Sequence, residues 1–121
     1  DDTPGFSRVS AQGAMGRGVQ VRLQDPTAIM NPALVDLVVK VAEENNIPYQ
    51  LTVRSSGGTD ARAFNLSGTG VPSIVLATPS RYIHSHNSMI DVRDYMAMVD
   101  LSIALVQKLD QNEVDALTAY L

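Results

Sequence analysis

Cysteine is absent from the 121-residue chain. That excludes disulfides, thiolate metal ligands and a cysteine nucleophile, so any metal would have to be held by His, Asp, Glu or water. Also absent is an apolar run approaching the roughly 18 residues that a membrane span needs, and no membrane partner is expected. Basic residues are scarce: nine Lys and Arg stand against 13 Asp and Glu, for a net charge of −4. Spread thinly along the chain, they make no basic face of the kind that nucleic-acid binding requires. The start, DDTPGFSRVS, has neither a basic-then-apolar leader nor an initiator methionine. The expectation is a cytoplasmic protein, with the chain beginning inside a larger gene product.

What is present is ordinary globular composition, 45% apolar and 18% charged, enough for one domain with one core. Residues 1–17, with three glycines and a proline, read as loop. GVQVRLQD alternates, Val19, Val21 and Leu23 one way and Gln20, Arg22 and Gln24 the other, which predicts a half-buried strand. NPALVDLVVKVAEENN predicts a helix. Asn31 can cap it, Pro32 suits the first helical position, and Leu34, Val35, Val38, Val41 and Ala42 make an apolar stripe. IPYQLTVR alternates again, with Tyr49, Leu51 and Val53 expected inward and Gln50, Thr52 and Arg54 outward. A glycine loop then leads into a short helix around 60–66. VPSIVLAT is a near-continuous apolar run, as in a strand covered on both faces. Asp91 is placed to cap a long helix whose buried face would hold Val92, Tyr95, Met96, Val99, Ile103, Val106 and Leu109. A last helical segment, NEVDALTAYL, closes the chain. Alternation of strand and helix predicts an α/β layer fold with at least partly parallel strands.

In such sheets, ligands gather at loops that leave the carboxyl ends of strands. Two loops carry unusual polar content: RSSGGTDA, residues 54–61, and TPSRYIHSHNSMID, residues 78–91. Parallel neighbouring strands would put both at one edge of the sheet. In the first loop, Gly57 and Gly58 permit close backbone approach, Thr59 or Asp60 can cap the following helix, and free N–H groups there attract an anion. The plain alternative is a loop-to-helix turn. The loop lacks the lysine of a nucleotide-phosphate loop. The second loop holds both histidines, His84 and His86. Imidazole is a common metal ligand, yet a site needs three or more protein donors. Asp60, Asp91 and Asp94 are the nearest candidates, although Asp91 and Asp94 equally suit the first turn of a helix.

Taken together, GGTDA at 57–61, GVPS at 70–73 and RYIHS at 81–85, preceded in order by DTPG at 2–5 and IPYQ at 47–50, resemble the C-terminal catalytic segment of the tetrahedral-assembly metallo-aminopeptidases. These are the deblocking and glutamyl aminopeptidases, some of which have carried the label cellulase or endoglucanase. The resemblance covers nearly the whole chain. It implies a layered α/β/α zinc-peptidase-like catalytic domain, of which residues 1–121 are only the C-terminal segment. It implies a peptidase with two divalent ions, zinc or cobalt, bridged by a carboxylate and a water. The bridged ions would lower the pKa of that water and polarise the scissile carbonyl. The motif histidine that ligates one ion falls on His84; His86 has no such counterpart. Gly58, Thr59 and Asp60 become candidates for shaping the substrate pocket or supporting the metal shell.

The other ligands that the resemblance implies, and a general-base glutamate, fall upstream of Asp1. Asp2 is not among them, and no catalytic residue is expected in this segment. One histidine cannot hold two ions, so the segment by itself is expected to be inactive, with peptide substrates and the rest of the enzyme chain as its partners. A homo-oligomer built from dimers, with a dodecamer among the possible forms, is also implied. Two other readings stay open: a non-catalytic α/β module that binds an anion at SSGGTDA, and an oligomerising domain with Met89, Met96 and Met98 partly in an interface.

Overall fold

A computed structural model of the chain describes residues 3–7 and 11–119. Asp2, at the start of the DTPG motif, and the last two residues of the expected terminal helix lie outside the described residues. The first element, β1 (Val19–Asp25), is the centre of the fold. The tight turn after it delivers the two-residue β2 (Ala28–Ile29), antiparallel to β1. Helix α1 (Pro32–Glu44) follows, with Pro32 at its start and the Leu34 N–H donating to Asn31 Oδ1 at 2.9 Å. Its apolar stripe, Leu34, Val35, Leu37, Val38, Val41 and Ala42, is buried. Asn46 ends the helix at φ 54°, a left-handed conformation that asparagine tolerates.

Strand β3 (Tyr49–Val53) runs parallel to β1 and is its neighbour on one side. Strand β4 (Leu76–Ala77) pairs antiparallel with β1 on the other, matching Gln20 with Ala77 and Val21 with Leu76. Between them lies α2 (Ala61–Asn65). A two-stranded hairpin of β5 (Ser80–Arg81) and β6 (Met89–Ile90) presents the histidines at its turn. Helix α3 (Val92–Lys108) returns across the sheet, and α4 (Gln111–Thr118) follows it. The core sits between one face of β1 and the helices: Val19 and Val21 meet Leu34, Val38 and Val41 of α1 and Ala97, Leu101 and Leu105 of α3.

The α/β class expected from the alternating pattern is the observed one, but four local expectations are corrected. First, β1 is not half-buried. Gln20 and Arg22 are buried along with the valines: β1 has strand partners on both sides, and Gly13 packs on the Gln20 side chain. Second, β3 keeps the expected face, Tyr49 and Leu51 standing in register with Val19 and Val21 and Tyr49 packing on the core, but Leu51 and Val53 are left more than half exposed while Thr52 is buried. Strand β3 is an edge, with β1 as its only ladder partner among the described residues. Third, α3 buries a different stripe from the expected one. Asp94, Ala97, Leu101 and Leu105 face inward, and Val92, Tyr95, Met96, Ile103 and Val106 stay exposed. Leu109 alone of the expected set packs on the core, with Val99 partly covered. The expected strand 71–77 is also mostly irregular, only Leu76–Ala77 joining the ladder.

Candidate functional site

The histidine loop hangs from the β5–β6 hairpin, which fixes its two stems. Its turn is tightly wound. Tyr82 and His84 both have positive φ, 59° and 60°, a region that costs energy for residues with a Cβ and that clusters at functional sites. The hydroxyls of Ser85 and Ser88 both donate to the Tyr82 carbonyl, so serines hold the turn from inside. The result leaves both imidazoles exposed, and neither has a hydrogen-bond partner among the described residues. The pair does not lie on a strand, so their spacing of two does not put them on one face.

The aspartates that the sequence offered as companion ligands are otherwise engaged. Asp91 caps α3, accepting from the Arg93 N–H at 2.8 Å, and its carboxylate also takes both Nε (3.0 Å) and Nη2 (2.6 Å) of the Arg93 guanidinium. Those bonds from Arg93 hold its pKa down at about 2. Asp94 is 1% exposed. One of its oxygens accepts the Gly16 N–H at 2.6 Å and the other the Gly18 N–H at 2.8 Å. It is thus an anchor rather than a free donor, tying the loop before β1 to the helix that follows the histidines. Gln50 grips the same loop from the other side, through the N–H and carbonyl of Ala14 and the carbonyl of Gly18. Gly18 itself must be glycine: its φ is +85°, and an added Cβ would stand 2.0 Å from the Pro48 carbonyl oxygen.

The GGTDA loop lies elsewhere. Gly58 packs against Thr27, and the Thr59 hydroxyl donates to Asp25 Oδ2 at 3.4 Å. Both contacts are at the carboxyl end of β1. Strand β4 runs antiparallel to β1, so the histidine loop leaves at the amino end, where Asp94 also holds Gly16 and Gly18. The shared edge expected for the two loops is therefore corrected. About 20 Å, the length of a seven-residue strand, separates the two ends. Asp60 stands at the start of α2 without a side-chain cap bond and is exposed.

Sequence reasoning missed the polar cluster under the GGTDA loop. Asp25 is buried. Burial alone would raise its pKa, but the hydroxyl and N–H of Thr27, the N–H of Ala28 and the charge of Arg22 outweigh that and hold it below the ordinary value. Arg22 is 3% exposed, and its Nη1 lies 3.7 Å from Asp25 Oδ2. Burial, and then the nearby charge of Arg54, push its pKa down. The sequence signal was only an arginine in an alternating strand, which reads as solvent-facing until β1 is known to be central. An open cleft of about 530 Å³ runs along β3, lined by Gln50, Leu51, Thr52 and Val53 and flanked by Phe6, Gln12 and Arg17.

Comparison with known proteins places this arrangement. Residues 1–101 match the family model described as M42 glutamyl aminopeptidase. The chain belongs to the M42 glutamyl aminopeptidase family. Among its M42 relatives is the glutamyl aminopeptidase of Lactococcus lactis, 31% identical over 108 residues, which cover 89% of this chain and 30% of the relative. A TET aminopeptidase from the marine sediment archaeon Thaumarchaeota archaeon SCGC AB-539-E09 superposes with a TM-score of 0.93 at 36% identity, covering 98% of this chain and 33% of that one. The TET1 peptidase of Pyrococcus horikoshii, which can assemble into a tetrahedron or a large octahedral shell, superposes at 0.75 with 30% identity, over 89% of this chain and 31% of that one. The chain thus spans about a third of the length of the M42 proteins it matches, and it has their α/β fold.

Proposed function

We propose that residues 1–121 are the C-terminal segment of the catalytic domain of a metal-dependent aminopeptidase, which removes N-terminal residues from peptides. His84 is the one metal ligand proposed in this segment. The observation that carries this is the RYIHS turn in a chain of the M42 family. Its backbone holds His84 at positive φ, with the ring exposed and unpartnered. No group of three or more His, Cys, Asp or Glu among the described residues is placed to hold a metal ion. By themselves, then, these residues do not fit an ion. The donors that His84 lacks, and the general base, are proposed to lie on the rest of the enzyme chain. When bound, two divalent ions, zinc or cobalt, would supply the polarisation of the peptide carbonyl and the activation of water.

The exposed apolar surface supports a larger protein. Leu51 and Val53 on β3, with Val92, Met96, Ile103 and Val106 along one side of α3, are large apolar side chains left half or more exposed. The rest of the catalytic domain is proposed to cover it. Gly58, Thr59 and Asp60 keep only a substrate-side part in this proposal, since a strand's length lies between them and any ion on His84. A homo-oligomer built from dimers, with a dodecamer as one form, and a cytoplasmic location complete it. No helix among the described residues is long and apolar enough to cross a membrane. The alternative of an anion site at the SSGGTDA helix start gains no support, because α2 has five residues and no side-chain cap.

The test uses the full-length protein, loaded with zinc or cobalt and assayed on aminoacyl-nitroanilides. His84→Ala is expected to lose at least about 100-fold in turnover, beyond the 10–100-fold typical of an outer-shell metal contact, and to bind fewer ions per chain by elemental analysis. Unimpaired turnover and metal content in the variant would remove His84 from the ligand set.

A further inference from the structure

Two arginines near the GGTDA loop bury N–H donors for which the described residues supply no acceptor. Arg22 lies on β1 in register with Thr52 of β3. Arg54 directly follows β3, its N–H donating to the Gln24 carbonyl at 2.9 Å. Arg22 Nε and Arg54 Nε are buried without a hydrogen-bond partner. Arg22 Nη1 has none either, only the 3.7 Å ion pair with Asp25. A guanidinium almost never loses its proton in a protein, so Arg22 is a buried cation with two of its nitrogens, Nε and Nη1, left without a hydrogen bond.

Asp25 cannot answer for both. Its Oδ1 already accepts from the Thr27 N–H (2.8 Å), the Thr27 hydroxyl (2.7 Å) and the Ala28 N–H (3.0 Å), and its Oδ2 takes the Thr59 hydroxyl. Its ion pair is with Arg22, and the charge of Arg54 also bears on Arg22. Buried N–H donors left without an acceptor are unfavourable, and a forked guanidinium is well matched to a carboxylate. Thr52, beside Arg22, and Gln12, whose amide donates to Ser55 Oγ next to Arg54, both line the open cleft along β3. The arginines do not line that cleft themselves, but Thr52, the register partner of Arg22, does.

We propose that Arg22 and Arg54 form a receptor for a second carboxylate, delivered from the cleft along β3. Two sources share this chemistry: an Asp or Glu side chain from the rest of the enzyme chain, fixed on folding, or an exchangeable carboxylate such as that of a bound peptide. The inference needs neither metal nor turnover, and it stands or falls apart from the aminopeptidase proposal.

The experiment measures the Tm of full-length protein as wild type and as Arg22→Met, in acetate and in chloride at equal ionic strength. If the carboxylate belongs to the polypeptide, Arg22→Met lowers Tm by several degrees, the loss persists in an Asp25→Asn background, and acetate has no specific effect. If the carboxylate is exchangeable, acetate raises the Tm of the wild type and not of Arg22→Met. Arg22→Lys, which keeps the charge, should retain part of either signal. The proposal is overturned if Arg22→Met is as stable as wild type or more so and the two respond alike to acetate, for then the arginine is a buried cation served by water alone. Should Arg22→Met not fold, Arg54→Met is scored by the same criteria.

Discussion

At the scale of single residues, the molecule spends its carboxylates on backbone N–H groups. Asp25 gathers the turn into β2, Asp91 starts α3, and Asp94 fastens the loop before β1. Asp25 carries a pH signature. Its folded pKa lies below the ordinary carboxylate value, so its contribution to stability is fully present above that ordinary value. It is lost as pH falls through the unfolded pKa and on down through the folded one. Unfolding midpoints of wild type and Asp25→Asn, followed from about pH 5 to about pH 2, should therefore converge as the acid limit is approached. A gap that stays constant across that range would show that the charge of Asp25 contributes nothing. Asp91 was legible as a cap, but the roles of Asp25 and Asp94 were hidden in the sequence. Asp94 reads equally as a helix-start residue or a metal donor, and only the return of α3 past Gly16 and Gly18 decides between them.

At the scale of elements, helix α1 was legible because its signals are local: the Asn31 cap, Pro32 and one apolar stripe against a polar one. Helix α3 was legible as a helix, with Asp91 as its cap, but not in its orientation. It is apolar on two sides, Ala97, Leu101 and Leu105 on one and Val92, Met96, Ile103 and Val106 on the other, and periodicity cannot say which side meets the sheet. Strand β3 was legible in its alternation and in its face, which Tyr49 and Leu51 share with Val19 and Val21, but not in being an edge whose Leu51 and Val53 stay uncovered. Helix α3 gives a direct check. In urea unfolding of the 121-residue chain, Leu101→Ala should cost about 2–5 kcal/mol as a core truncation, while Val106→Ala should stay within about 0.5 kcal/mol. Equal losses would mean that the outer stripe is packed in solution.

At the scale of the whole molecule, the chain has the fold of a family whose members are about three times as long. Its sheet ends in an open edge at β3, and its longest helix keeps an apolar side in water. The order of the motifs made the family recognisable, since each motif tolerates its own local context while their sequence along the chain does not arise by chance. The placement of the motifs was not recoverable in the same way, because a two-residue antiparallel strand, Leu76–Ala77, decides where the histidines go. The 121-residue chain expressed alone is expected to give no turnover of aminoacyl-nitroanilides with cobalt or zinc added. Measurable hydrolysis, abolished by His84→Ala, would require a complete site within these residues.

Strand β1 also acts as a spacer. With GGTDA at one tip and RYIHS at the other, a protein carrying Thr59→Val together with His84→Ala ought to behave as the simple composite of its parents. Rate penalties would multiply, and unfolding free energies would sum to within about 0.5 kcal/mol. Each tip could then be re-engineered on its own, the other left as it stands.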